Sequence, residues 1–226
     1  MRVIVLGTME NLSDCLICGV PLAYRQEESM ASCSLCGTES PTLVTCEAGH
    51  YVCDSCHSMR ANDLIERICT ASTLRDPFDL AIRLMEHPSL KMHGPEHHFL
   101  VPAVLLSVYY TLKNQSEKKE KAIARARQRS EKIPGGFCGF CGNCGAAVGT
   151  GIFVSIVLEA NPLTDVSWSL CNRMTAQSLN LVADYGGPRC CKRDTYLSIQ
   201  AAIEFSEKHL DLKFGRYPTP VCIFSN

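Results

Sequence analysis

Fifteen of the 226 residues are cysteine, and most of them are spaced for metal. The first seven occur with one histidine as Cys15-x2-Cys18, Cys33-x2-Cys36, Cys46-x3-His50 and Cys53-x2-Cys56. A tight turn over two intervening residues brings two thiolates to one ion. The glycines after Cys18 and Cys36 suit the positive φ that closes such a turn. Four pairs make two closed tetrahedral sites, the geometry of structural zinc. Two zinc ions are therefore expected. A site closed by four protein ligands leaves no position for substrate, so the role expected is structural or docking.

Which pairs combine follows from chain order. Cys33/Cys36, a hairpin over 43–52 and then Cys53/Cys56 opening a helix make the knuckle–hairpin–helix order of a treble clef. These four are predicted to share one zinc. Cys15/Cys18 and Cys46/His50 then share the other, as an interleaved cross-brace. His57 is the rival of His50.

The second constellation is Cys138-x2-Cys141-x2-Cys144 within a glycine-rich loop, followed far downstream by Arg189-Cys190-Cys191-Lys192-Arg193. Three cysteines at this spacing match the run that holds an iron–sulfur cluster. Cys190 or Cys191 is the source of a fourth ligand, so the cofactor expected is a [4Fe–4S] cluster, with zinc its competitor. Glycines let backbone N–H groups approach thiolate closely. Cys144, Cys190 and Cys191 all sit at predicted helix starts, where the dipole and nearby cations favour thiolate. Adjacent side chains diverge, so one of Cys190 and Cys191 faces the site and the other a second role. His97 and His98, with His93 and Glu96, open another helix and are candidate ligands or proton donors; His97, His98, Cys190 and Cys191 are the catalytic candidates. Cys69 and Cys171 fit apolar helix positions as packing residues; Cys222 is assigned to neither site.

The elements that must position these residues read as mainly α. Residues 1–57 form the small two-metal module, and residues 58–226 a helical domain of five or six helices. Asp76-Pro77 opens one helix to about His87, and Gly94-Pro95 another from Glu96 to about Lys113. A solvated basic helix over 114–132 precedes the Gly135-Gly136 break. Apolar Ala146–Glu159, a helix after Asp165 and an amphipathic helix over 194–210 follow, with a short strand in 218–226. The apolar runs 99–112 and 145–158 are shorter than the ~20 residues of a membrane span, so they read as core helices packed together. Net charge is −1, which gives no whole-molecule field towards nucleic acid or membrane. The opening Met1–Gly7 is too short for an export signal, so reduced thiols and a cytoplasmic setting are expected.

Several of these stretches resemble known families. Cys46-Glu47-Ala48-Gly49-His50-Tyr51-Val52-Cys53-Asp54-Ser55-Cys56 resembles the middle of a RING-type finger. That finger's fourth pair after the helix is missing here, and Cys15/Cys18 stand in for it. His93-Gly94-Pro95-Glu96-His97-His98, the loop over 135–151 and Gly186-Gly187-Pro188-Arg189-Cys190-Cys191-Lys192-Arg193-Asp194 together resemble an uncharacterised domain-of-unknown-function family. That resemblance implies members in anaerobic bacteria and archaea, sometimes attached to methyltransferase-like domains. Cys144-Gly145-Ala146-Ala147-Val148-Gly149 with Cys190 is similar to the redox-active family named for Cys, Gly-Cys-Ala-x-x-Gly, Cys, Cys, although a glycine here separates cysteine from alanine.

These residues support electron delivery or sulfur handling for a partner enzyme, of redox or methyltransferase-like kind. Two readings compete. One is a zinc-only adaptor that binds protein or, as a minority reading, nucleic acid through the finger and the basic segment 113–132. The other is an enzyme that moves a methyl or sulfur group on a thiolate at Cys190/Cys191.

Overall fold

The computed structural model describes residues 15, 20–34 and 37–215, with 58–60 described by their backbone only. Cys18, Cys36, Cys222 and the strand expected over 218–226 lie outside the described residues. The chain divides at Val52/Cys53 into two units.

In the first unit an antiparallel hairpin joins β1 (Leu22–Ser32) to β2 (Glu39–Cys46), in register from Ser32 opposite Glu39 to Leu22 opposite Cys46. The pairing shifts between Tyr24 and Ser29, so the charged run 25–28 is extruded. This corrects the hairpin expected over 43–52. The turn at 47–49 instead closes a five-residue loop, in which the Cys46 N–H donates to the His50 carbonyl at 3.0 Å. Gly49 takes φ 85°, a conformation that other residues there would resist. The knuckle beginning at Cys33 is thus the tip of the β1–β2 hairpin, not its prelude.

The second unit is built around α3 (Glu96–Leu112). Its sequence is apolar on every side, and it is buried without a break from Glu96 to Val108. Such a helix needs partners all round. Packed around it are α1 (Asp54–Ala71), α2 (Pro77–Met85), α4 (Lys119–Ser130), α6 (Gly145–Val157) and α8 (Cys191–His209). A four-residue α5 (Phe137–Phe140) precedes α6, and α7 (Val166–Tyr185) covers α6 and α8. The protein is mainly helical. Asp76 caps α2 by accepting the Phe78 N–H at 2.8 Å, with Pro77 at the first helical position. Cys69 is fully buried, and Cys171 is half-buried against the core. Among the described residues no helix is long and apolar enough to cross a membrane.

The basic segment departs from the solvated helix expected for it. α4 turns Lys119, Ala122, Ile123, Ala126 and Ser130 inward at three- and four-residue spacing. Arg127 is held by Asp63 at 2.8 Å, Glu66 at 2.6 Å and Glu131 at 2.9 Å, and Arg129 donates to Ser155 at 2.8 Å. The Lys119 ammonium caps the end of α1 on the Ser72 carbonyl. Alternating small apolar residues, masked in the sequence by eight Lys/Arg, decide the helix's place.

α3 and α6 approach closely because of one proline and one glycine. Pro102 has no N–H for the His98 carbonyl one turn earlier. That carbonyl faces Gly149 of α6, where a Cβ would lie 3.0 Å from it and 2.8 Å from the Pro102 ring. Gly149→Ala should therefore destabilise the fold by about 1–3 kcal/mol through overpacking. A urea unfolding midpoint equal to wild type would contradict this packing.

Candidate metal centres

Two loops of the first unit share a closure. In each, the first cysteine of a Cys-x2-Cys-Gly run donates its N–H to the carbonyl five residues on, Cys15 to Val20 and Cys33 to Thr38, both at 2.9 Å. The second closure also has Gly37 at φ 73°, its N–H bonded to the Cys33 carbonyl at 2.8 Å. Cys33 is pinned to the neighbouring chain by a bridge to Tyr51, and the Ser34 N–H donates to the Tyr51 carbonyl at 2.8 Å.

The ligand atoms of Cys15, Cys46 and His50 lie within 4.8 Å of one another. Cys46 Sγ and His50 Nδ1 are 3.6 Å apart. Bonds of about 2.3 Å to sulfur and about 2.05 Å to nitrogen at a tetrahedral angle require a separation of about 3.6 Å, so this pair has the spacing of a zinc site. The His50 N–H also donates to Cys46 Sγ at 3.2 Å, the kind of second contact that steadies a thiolate ligand. Cys15, Cys33 and Cys46 are buried. Cys15, Cys46 and His50 could hold a metal ion. Cys53 and Cys56 belong to the second unit, where they stand at the start of α1. His57 follows them in α1, and its Nδ1 lies 3.5 Å from Glu96 Oε2.

At the helical end, α1, α3, α6 and α8 all begin near one another. The Gly135 N–H donates to the Asp54 carboxylate at the start of α1, and His57 of α1 meets Glu96 of α3. The His98 ring of α3 lies on Gly145, the first residue of α6, so closely that any side chain there would collide with it. The Cys191 thiol at the start of α8 accepts the N–H of Gly94, just before α3. Helices of alternating direction joined by short connections give this arrangement, with every second N-terminus at the same end. Each of those ends carries partial positive charge.

Within this end the cysteines separate. Cys144, the residue before α6, is buried; it lies close enough to Cys138 and Cys191 to feel their charge. Cys138 is half-buried against the core. Cys141, at the end of α5, is exposed. Cys190 turns to Met92, its Sγ 3.8 Å from the Met92 Sδ, while Cys191 faces inward. Cations and a helix start promise ionised thiols here, but burial overrides them. Burial pushes the Cys191 thiol up to about 12, against the pull of the Gly94 N–H and Arg189. Burial likewise raises Cys144, against the N–H groups of Ala147 and Ala146. Both are neutral thiols until positive charge arrives.

The histidines divide too. His97 has both nitrogens engaged, Nδ1 with Thr195 Oγ1 at 3.0 Å and Nε2 with the Lys91 carbonyl at 3.0 Å. That makes it a fixed strut between α3 and α8, with no nitrogen left for a metal or a proton in transit. His98 donates from Nδ1 to the Ile133 carbonyl at 3.1 Å, which leaves the Nε2 lone pair facing the start of α6. A carbonyl on the far nitrogen is the usual support of a metal-binding imidazole. Sequence reasoning missed Asp194, buried and paired with Arg193 at 3.0 Å, which bears on both Cys144 and Cys191. The signal was available: an acidic residue in the first turn of a helix whose neighbours are the cysteines.

Burial holds both His97 and His98 below the ordinary value of 6.5. No curated protein and no solved structure matches the chain; residues 65–226 match the sequence model of a family of unknown function. Unfolded, both histidines take up a proton near pH 6.5, whereas folded they resist it to lower pH. Their contribution to stability is thus intact above about pH 6.5 and is lost as pH falls below it. Tm measured from about pH 8 to about pH 5 should drop in the acid half, and less steeply in His98→Gln. A flat profile would contradict this.

Proposed function

This chain belongs to the family of unknown function DUF5714, and we propose that it is a metal protein that delivers electrons or handles sulfur for a partner enzyme. Zinc at Cys33/Cys36/Cys53/Cys56 and at Cys15/Cys18/Cys46/His50 holds the N-terminal module. The working centre is an iron–sulfur cluster held by Cys138, Cys144 and Cys191, with His98, Cys141 or Cys190 as the remaining ligand. The observation that carries this reading is the pair of neutral thiols, the buried Cys144 and the half-buried Cys191, at neighbouring helix N-termini. Neutral thiols without a cation gain nothing from these helix dipoles; thiolates bound to metal do. The donors fit: sulfur-rich ligands, glycine N–H groups and positive helix ends all suit a centre of net negative charge.

When bound, a cluster supplies one-electron transfer. The chain's own part is to exclude water, hold Cys191 with the Gly94 N–H and orient His98 through the Ile133 carbonyl. Zinc suits the same donors, and the support on His98 favours it as the second reading. The thiolate-transfer reading also needs a cation to ionise Cys191. The adaptor reading loses ground because Arg127, Arg129 and Lys119 are committed within the fold.

Protein purified and reconstituted with iron and sulfide under strict anaerobiosis should be brown. Cys144→Ser and Cys191→Ser should lose the iron and keep two zinc ions, while Cys171→Ser keeps both metals. Colourless, iron-free wild type would reject the cluster. Separately, a zinc chelator should abolish hydrogen-exchange protection along β1 and β2, because structural zinc supplies folding free energy directly. Protection that survives full zinc removal would refute the structural role.

A further inference from the structure

Within the second unit a cleft opens between the first half of α1, the start of α3 and the end of α4, enclosing about 290 Å³ together with its mouth. Pro95, Phe99 and Ile133 give it an apolar lining, and Asp54 and Glu131 bring two carboxylates to it. Asn62 and Ser130 complete the lining, each only 2 % exposed. Their Oδ1 and Oγ atoms are buried with no hydrogen-bond partner among the described residues. Native folds rarely leave such atoms unmet.

The chemistry fixes what is missing. Asn62 Nδ2 donates to Glu131 Oε1 at 3.2 Å, and a carboxylate only accepts, so the atom left over is the amide oxygen. Ser130 closes α4 without bonding the carbonyl one turn back, the usual resort of a helical hydroxyl. Asp54 accepts the Gly135 N–H at 2.6 Å. Glu131 shares Arg127 with Asp63 and Glu66, so one guanidinium meets three carboxylates and that group stays net negative. The cleft thus offers acceptors and negative charge beside apolar surface.

The geometry points to a binding site for the primary ammonium group of a small amine. Such a head carries three donors on one atom, enough for Asn62 Oδ1, Ser130 Oγ and a carboxylate of the lining. The carbon that bears it meets Phe99 and Ile133. The enclosed part of the cleft has room for one water-sized group, which an ammonium head is. Water would satisfy the same two atoms but bring no charge to the carboxylates. A hard metal ion would want six or more oxygens where this cleft has apolar surface. No ligand assigned to the cysteine centre lines the cleft, so failure of the iron–sulfur reading leaves this one untouched. The two adjoin through Ile133, whose carbonyl holds His98.

The zinc-loaded full chain, labelled with nitrogen-15, is titrated with n-butylammonium chloride at constant ionic strength. The Asn62 side-chain amide and Gly135 N–H resonances should shift and saturate. Butanol has a donor without the charge, and trimethylbutylammonium has the charge without donors; neither should reproduce the shifts. Ser130→Ala removes an unmet hydroxyl, so the unliganded protein should melt at or above the wild-type temperature. It should bind butylammonium at least about tenfold more weakly, the cost of a hydrogen bond to a charged group. Glu131→Gln, at an exposed position, keeps the acceptor for Asn62 and Arg127 but removes the charge, and should also weaken binding. A wild-type titration that does not saturate, either control binding as tightly, or undiminished binding by Ser130→Ala or Glu131→Gln would overturn the site.

Discussion

A helix with no face for water can exist only where other helices surround it, and α3 is such a helix. Everything else in the helical unit answers to that constraint. Its carbonyls and amides bond within the helix, but its first turn leaves N–H groups and three polar side chains, Glu96, His97 and His98, inside the protein. They need partners that only neighbouring chain can provide. His97 finds Thr195 and the Lys91 carbonyl, and His98 finds the Ile133 carbonyl. The polar end of the bundle is therefore not decoration on a hydrophobic core. It is the place where a buried helix begins.

The same constraint concentrates charge. Alternating helices around α3 place four N-termini together, and the last turns of α2 and α4 return to the same end. Lys192 reaches back to cap the Met85 carbonyl at the close of α2, at 2.8 Å, just as Lys119 caps α1. Long cationic side chains thus tie off helix C-termini where water cannot, which is why two lysines are almost fully buried. Sulfur and imidazole then occupy the positive ends. Chemistry that needs anionic ligands has a ready-made field there, and burial keeps those ligands neutral until they are used.

Much of this could be read from the residues, and the failures have physical causes. Cys-x2-Cys spacing and proline-initiated helices are local, so the metal-type pairs and the starts of α2 and α3 were plain. Glu47-Ala48-Gly49 is good turn sequence either for a hairpin or for a short closed loop, so the sequence alone does not place the hairpin. Only the pairing of Thr42, Val44 and Thr45 with Ser29, Tyr24 and Ala23 decides it. Charge dominates the composition of α4 and makes it look solvated, whereas its fate rests on Ala122, Ile123 and Ala126. The neutrality of Cys191 was beyond reach of the sequence. Its neighbours in the chain are cations, but its neighbours in space are apolar surface, Cys144 and Asp194. The meeting of His57 with Glu96 is likewise tertiary: thirty-nine positions separate them, and nothing in either segment announces the other.

The all-round burial of α3 also has a cost in time. A ribosome releases the chain from its beginning, and Cys191, which opens α8, comes 79 residues after Leu112. At about 5–20 residues per second, the apolar helix must wait roughly 4–16 seconds for its last wall even to begin. During that interval the flank that α8 will cover is a sticky surface in a crowded solution, while α1, α2 and then α4 and α6 cover the rest. The architecture that shelters the polar end in the finished molecule makes the half-made one dependent on protection from outside.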